Sequence, residues 1–235
     1  MSQLPILIAC SHGTSSGQGA AEVDSLRAAI LALRPELDVR EAYVDVQTPD
    51  LKDVVAGIGE DESAVVVPLL LSVGYHVKVD IARAVSSRPG LFAAEPLGPD
   101  PRLARLLATR LAEANLGADD AVVLAAAGSS DAGAAVNVEA LAKDLRTLVP
   151  NRIVIGYGAS ASPSVPDAVA QAREDQAREE GADRVVVASY LLAHGFFHDQ
   201  LAKAGADVVT EPLLPSEVLA EIALERYDEA LRNPS

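Results

Sequence analysis

The chain has 235 residues and a formal charge of −15, with 49% hydrophobic and 23% charged residues, a globular balance with enough length for one large domain or two of about 115 residues. So acidic a chain is a poor partner for nucleic acid or an anionic membrane, and any anionic ligand must be held by local donors against the overall field. One cysteine, Cys10, allows neither an internal disulfide nor a Cys-ligated cluster, and with no Trp, three Phe and five Tyr the core must be aliphatic.

Apolar β-branched runs alternate with amphipathic stretches. Strands are expected over residues 4–9, 39–45, 64–71 and 91–93, with helices over 20–33, 51–58, 77–85 and 102–114. Thr48 before Pro49 reads as a helix start, a capping hydroxyl followed by proline in the first turn. Continuous apolar strands belong to parallel sheets covered on both faces, and alternating β and α implies a doubly wound sheet with right-handed crossovers. The longest apolar strand, 64–71, is too short to span a bilayer, and the first basic side chain is Arg27, so no signal peptide is expected and a soluble cytoplasmic protein is the economical reading.

The pattern then repeats, with strands over 121–127, 152–157, 184–190 and 208–210 and a last helix over 217–231. Glu95-Pro96-Leu97 and Glu211-Pro212-Leu213 open the closing helix of each half, 116 residues apart. His12-Gly13-Thr14-Ser15 matches Ala127-Gly128-Ser129-Ser130 at an offset of 115, Tyr43 and Pro49 match Tyr157 and Pro163 at 114, and Gly74-Tyr75 matches Gly195-Phe196 at 121. A near-constant offset indicates duplication. The expected architecture is two tandem α/β domains, 1–116 and 117–235, each a small, mostly parallel sheet with helices on both faces.

Chemistry concentrates in the first half. His12 comes just after the first strand, Asp45 ends the second, and His76 follows the third. Open α/β sheets bind ligands outside the carboxyl ends of their strands, so neighbouring strands would bring these three into one crevice. Two imidazoles and a carboxylate with open positions suit a divalent ion such as Fe²⁺, Co²⁺, Ni²⁺ or Zn²⁺. Singly, a loop histidine is ordinarily a surface residue, and Asp45 could equally cap the next helix or stop the strand. Thr14, Ser15 and Ser16 lie in a strand-to-helix loop whose N–H groups and hydroxyls can hold an anion or only make the turn, and no P-loop Lys is present. Lys78 and Arg83 could neutralise a carboxylate-bearing ligand or simply be solvated. Cys10 reads as a small core residue.

Ser11-His12-Gly13-Thr14, then Ala42-Tyr43-Val44-Asp45 with Thr48-Pro49, then the run from Pro68 through Gly74-Tyr75-His76-Val77-Lys78 to Ile81, resemble the sirohydrochlorin and cobalt chelatase family, the class II tetrapyrrole chelatases, in its two-domain form. The resemblance is strong over 4–114 and weaker over the second half. It implies insertion of Fe²⁺ or Co²⁺, as substrate, into a sirohydrochlorin-type tetrapyrrole for sirohaem or cobalamin, with no organic cofactor. It implies that His12 and His76 bind the metal and assist proton removal. At the position of Asp45 the family commonly has glutamate, one methylene longer. In the second half Ala127, Ala159 and Phe197 stand at the positions of His12, Asp45 and His76, and the resemblance gives His194 and His198 no metal role. The second half would then be a wall for a flat macrocycle bearing eight carboxylates, with Ser129, Ser130 and the first-half donors Thr14, Ser15, Ser16, Lys78 and Arg83 as anion contacts. Iron is the first choice of metal, and a cobaltochelatase or a non-catalytic metal carrier are the alternatives. A histidine phosphatase is disfavoured, because such sites need an arginine beside the histidine and the neighbour here is Ser11. The sequence leaves oligomeric state open, a monomer included.

Overall fold

Two four-stranded, all-parallel sheets, each with the same strand order, carry the chain in a computed structural model that describes residues 4–72, 74, 77–178 and 184–233. The first sheet is ordered β2-β1-β3-β4 from β1 (Ile6–Ser11), β2 (Val39–Tyr43), β3 (Ala64–Pro68) and β4 (Leu91–Ala93). The second repeats it as β6-β5-β7-β8, with β5 (Ala121–Ala126), β6 (Ile153–Tyr157), β7 (Val185–Tyr190) and β8 (Val208–Val209). The expected tandem α/β architecture is therefore present, as two sheets rather than one continuous one.

Register follows from burial. Every residue of β1, β3, β5 and β7 is buried, as expected for central strands with a helical layer on each face. On one face of the first sheet Ile6, Ile8 and Cys10 pack with Val66 and with Leu51 and Val55 of α2 (Leu51–Ala56). Burial pushes the Cys10 thiol up to about 12, so the cysteine is an inert core residue, as its place in an apolar strand suggested. In the second sheet Val123 and Val187 pack with Val165, Ala168 and Val169 of α6 (Val165–Arg178).

Several boundaries differ from expectation for local reasons. α1 (Gly17–Leu33) starts three residues early, because Ser16 caps it by accepting from the Gly19 N–H at 3.2 Å. The cap of α2 is Asp50 and not Thr48: its carboxylate accepts from the Lys52 N–H at 2.9 Å, and that bond holds the Asp50 carboxyl below its ordinary range. The expected helix over 77–85 is a π-helical turn, Val77–Ile81, running into α3 (Ala82–Val85). β2 and β3 stop short of 45 and 71, which leaves Asp45 beyond the strand end and not at it.

The compact units do not divide at 116/117. One comprises Met1–Leu97 with Pro215–Ser235, and the other Gly98–Leu214. Thus α4 (Pro101–Glu113), the closing helix of the first repeat, packs against β7 and α5 (Ala132–Leu145), while α8 (Glu217–Arg232), the closing helix of the second, packs against α1, β3 and β4. Matching arginines fix the two helices. Arg226 Nε donates to the Pro96 carbonyl at 3.0 Å and Arg110 Nε to the Pro212 carbonyl at 2.9 Å, each pairing with a glutamate one turn on, Glu229 and Glu113. In the first unit Arg34 also grips Asp228 with two bonds of 2.7 and 2.8 Å, and Tyr227, 1% exposed, donates to the Pro5 carbonyl. The sequence repeat and the packing unit therefore differ by one exchanged helix. A local amphipathic pattern says that a helix needs an apolar face to pack against, not which sheet supplies it.

Candidate metal site at the carboxyl edge of the first sheet

β1 pairs with β2 on one side and β3 on the other, so the chain reverses its direction of winding between β1 and β3. Such a switch point opens a crevice at the carboxyl ends of the strands. Two loops are stitched together there. The Val44 N–H donates to the Ser11 carbonyl and the Asp45 N–H to the His12 carbonyl, both at 3.1 Å. Gly13, at φ +93°, lets the loops touch, because a Cβ at that position would collide with the Asp45 carbonyl oxygen. Sequence places His12 and Asp45 on successive strand ends; the backbone ladder makes them neighbours. Both side chains are exposed.

Asp45 does not cap α2, since Asp50 does. Its Oδ1 instead accepts from the following Val46 N–H at 2.8 Å, and Val46 has the left-handed φ of 56°. That small turn holds the carboxylate against the backbone of its own loop. His76 lies outside the described residues, as do Val73 and Tyr75. Lys78 belongs to the π-helical turn, and Arg83 is exposed on α3.

The loop expected to hold an anion is largely occupied by its own construction. The Thr14 N–H donates to Gln47 Oε1 at 2.8 Å, the Ser16 N–H to Thr14 Oγ1 at 3.1 Å, and Ser16 Oγ is the cap of α1. Ser15 is exposed. In the second unit Ser129 Oγ accepts from the Asp131 N–H at 3.1 Å and Ser130 is exposed. Asp131, which stands where Ser16 stands, caps α5 through the Gly133 N–H.

Sequence reasoning passed over Gln47, which crosses 33 residues to hold the loop after His12. The one available signal was a long polar side chain between Asp45 and Pro49 with no local partner. It also passed over Ser11, whose buried hydroxyl has no hydrogen-bond partner among the described residues.

The same edge of the second sheet is a control. The Gly158 N–H donates to the Ala126 carbonyl and the Ala159 N–H to the Ala127 carbonyl, both at 2.9 Å. Gly128 has φ +86° and its Cβ would collide with the Ala159 carbonyl oxygen; Ser160 repeats the left-handed turn at φ 57°. Ala127 and Ala159 thus occupy the backbone positions of His12 and Asp45, as the offsets predicted. His194 Nε2 lies 3.1 Å from Glu211, His198 Nε2 lies 3.1 Å from the Thr210 carbonyl, and the two rings meet edge to face at 4.6 Å. No group of three or more possible metal ligands occurs among the described residues. No helix among them is long and apolar enough to cross a membrane.

The family model CbiX matches residues 6–114 and, again, 121–230. A sirohydrochlorin cobaltochelatase from Sulfurisphaera tokodaii is 30% identical over 86 residues, which span 34% of this chain and 72% of that one. Among solved structures, SirB from Bacillus subtilis with Fe3+ superposes with a TM-score of 0.77 at 18% identity, covering 98% of this chain and 96% of that one. The structure of CbiX described as the terminal enzyme of sirohaem biosynthesis in denitrifying bacteria gives 0.69 at 18% identity, covering 96% and 99%. At such identity the last two matches speak for the fold.

Proposed function

Because the chain belongs to the CbiX family over both of its repeats, we propose that it is a sirohydrochlorin chelatase whose first repeat handles the metal. The reaction replaces two pyrrole N–H protons of the macrocycle with one divalent ion. A competent site must hold the ion loosely, leave positions open for ring nitrogens, and accept protons near neutral pH. Neutral imidazole is both a borderline ligand and a base of suitable strength. His12 and His76 are the proposed ligands and proton acceptors. Asp45 shares the ion or takes the second proton, and the other named donors, Ser15, Ser130 and Arg83 among them, face the carboxylates of the substrate.

The observation that supports this reading is the Asp45 N–H to His12 carbonyl bond, which joins the backbones of a histidine and an aspartate, both exposed, on loops at a sheet switch point. Iron is the preferred metal. Cobalt is the alternative, favoured by the name of the Sulfurisphaera relative. The test offers Fe²⁺, Co²⁺ and Ni²⁺ separately to the purified protein with sirohydrochlorin and follows the absorption of the metallated ring. Multiple turnovers with iron are expected. Product limited to one equivalent of protein with every metal would instead mean a carrier.

A further inference from the structure

We propose that Gln47 is a positioning residue for His12, its side chain clamping the loop that carries the imidazole to the loop that carries Asp45. This rests on the chelatase reading above. The first loop is held by the second at two points. The Asp45 N–H donates to the His12 carbonyl at 3.1 Å, and two residues on the Thr14 N–H donates to Gln47 Oε1 at 2.8 Å. Between them Gly13 lies against the Asp45 carbonyl, where a Cβ would not fit. Each end of the clamp is itself anchored. The Gln47 N–H donates to the Asp45 carbonyl, and Thr14 Oγ1 accepts from the N–H of Ser16, the cap of α1. The amide thereby links the histidine loop, the aspartate loop and a helix end.

The second repeat separates this link from the needs of the fold. Ala161 stands at the position of Gln47 and has no side-chain acceptor. The second pair of loops nonetheless keeps both backbone bonds, the left-handed Gly128 and the left-handed Ser160. Loops of this shape therefore form without the amide, and the clamp occurs at the edge that carries His12. His12 is exposed, so its place depends on its backbone more than on side-chain packing. Surface loops are the mobile part of a fold, and a bond across 33 residues restrains this one. A metal ligand has to be held to within about 0.5 Å of its working geometry, which gives the restraint a chemical use.

The test reads Co²⁺ binding and turnover in the whole protein, well below its unfolding temperature. Gln47→Leu removes the acceptor and keeps most of the bulk. It should raise the Co²⁺ dissociation constant roughly tenfold and lower kcat roughly tenfold, the lower end of the usual cost of losing a group that orients a metal ligand. KM for sirohydrochlorin should stay within about twofold of wild type. Gln47→Glu keeps an acceptor at the same reach and should restore most of both losses. Added to His12→Ala, Gln47→Leu should lower the residual metallation rate no further, because a clamp acts only through the residue it places. A Co²⁺ constant within about twofold of wild type in Gln47→Leu overturns the proposal. So does an undiminished loss on the His12→Ala background, or an effect confined to KM. Weakened Co²⁺ binding in Gln47→Leu, in a protein that never metallates sirohydrochlorin, would retain the clamp and sink the chelatase reading instead.

Discussion

The carboxyl edges of the two sheets share a backbone and differ in almost every side chain that matters. The same pair of inter-loop N–H to carbonyl bonds, the same left-handed glycine and the same left-handed residue directly after the second donor, Val46 after Asp45 and Ser160 after Ala159, recur in both. One edge carries His12, Asp45 and Gln47; the other carries Ala127, Ala159 and Ala161. Fold and chemistry are thus separable within one chain: the scaffold makes neighbours of two loop positions, and the residues placed there decide what the neighbours do.

The strongest way to break the comparison is to remove the imidazole from the first edge. His12→Ala should lower the metallation rate by about 10²-fold or more, the usual worth of a positioned base, and leave thermal unfolding unchanged, since the side chain is exposed. Near-wild-type turnover would show that the edges do not differ in the way proposed. A gain-of-function test sharpens the same point. Adding Ala127→His, Ala159→Asp and Phe197→His together should raise the Co²⁺ bound per chain, by calorimetry, from one to two equivalents, because the inter-loop backbone bonds at the first two positions already match those of His12 and Asp45. An unchanged stoichiometry would locate the difference in more than these side chains.

Smaller effects separate the units by stability. Arg184 holds the buried Asp120 carboxyl below its ordinary range, and the Gly117 N–H assists at 2.7 Å. Folded protein therefore binds fewer protons at Asp120 than unfolded chain, whose aspartates titrate near ~3.9. The resulting stability is complete above that value and is lost as pH falls through the lower folded value. In urea unfolding, Asp120→Asn should cost about 2 kcal/mol at pH 7 and flatten the loss of stability between about pH 5 and 2. An equally steep acid slope in the variant would remove Asp120 as its cause. Gln47→Leu is gentler. It orphans the Thr14 N–H and should cost about 1 kcal/mol in the same assay; no change would mean that water replaces the amide.

Much of this was legible in the sequence. Apolar runs located every strand core, and the offsets paired Ala127 with His12 and Ala159 with Asp45 correctly, because the repeated loops keep their spacing and backbone bonds while their side chains differ. Strand ends were not legible. Val44 and residues 69–71 are as apolar as strand residues, and β1 still accepts from the Val44 and Leu69 N–H groups through Ser11 and Cys10, but β1 itself ends at Ser11. The cap of α2 was misplaced because Thr48 and Asp50 are both good caps, and only the carboxylate reaches the Lys52 N–H. The bond from Gln47 to Thr14 spans two loops, so no local pattern reveals it. The exchange of α4 and α8 was hidden for the same reason, although Arg110 with Glu113 and Arg226 with Glu229 repeat at an offset of 116.

That exchange has a consequence for synthesis on the ribosome. The first sheet is complete when residue 97 emerges, yet the helix that covers it begins at Glu217. Until then the nascent chain must carry a naked apolar face. α8 brings the buried side chains Leu219, Ile222 and Tyr227, each worth about 1.5–3 kcal/mol, together comparable with the whole net stability of a typical domain. The second unit, Gly98–Leu214, is continuous and can close first. Folding is then expected to run against the order of translation, the later-made unit serving as a finished companion while the earlier one waits for the last helix. A stop codon before Pro215 would strand the first unit in an aggregation-prone state, although none of the proposed metal ligands had been removed.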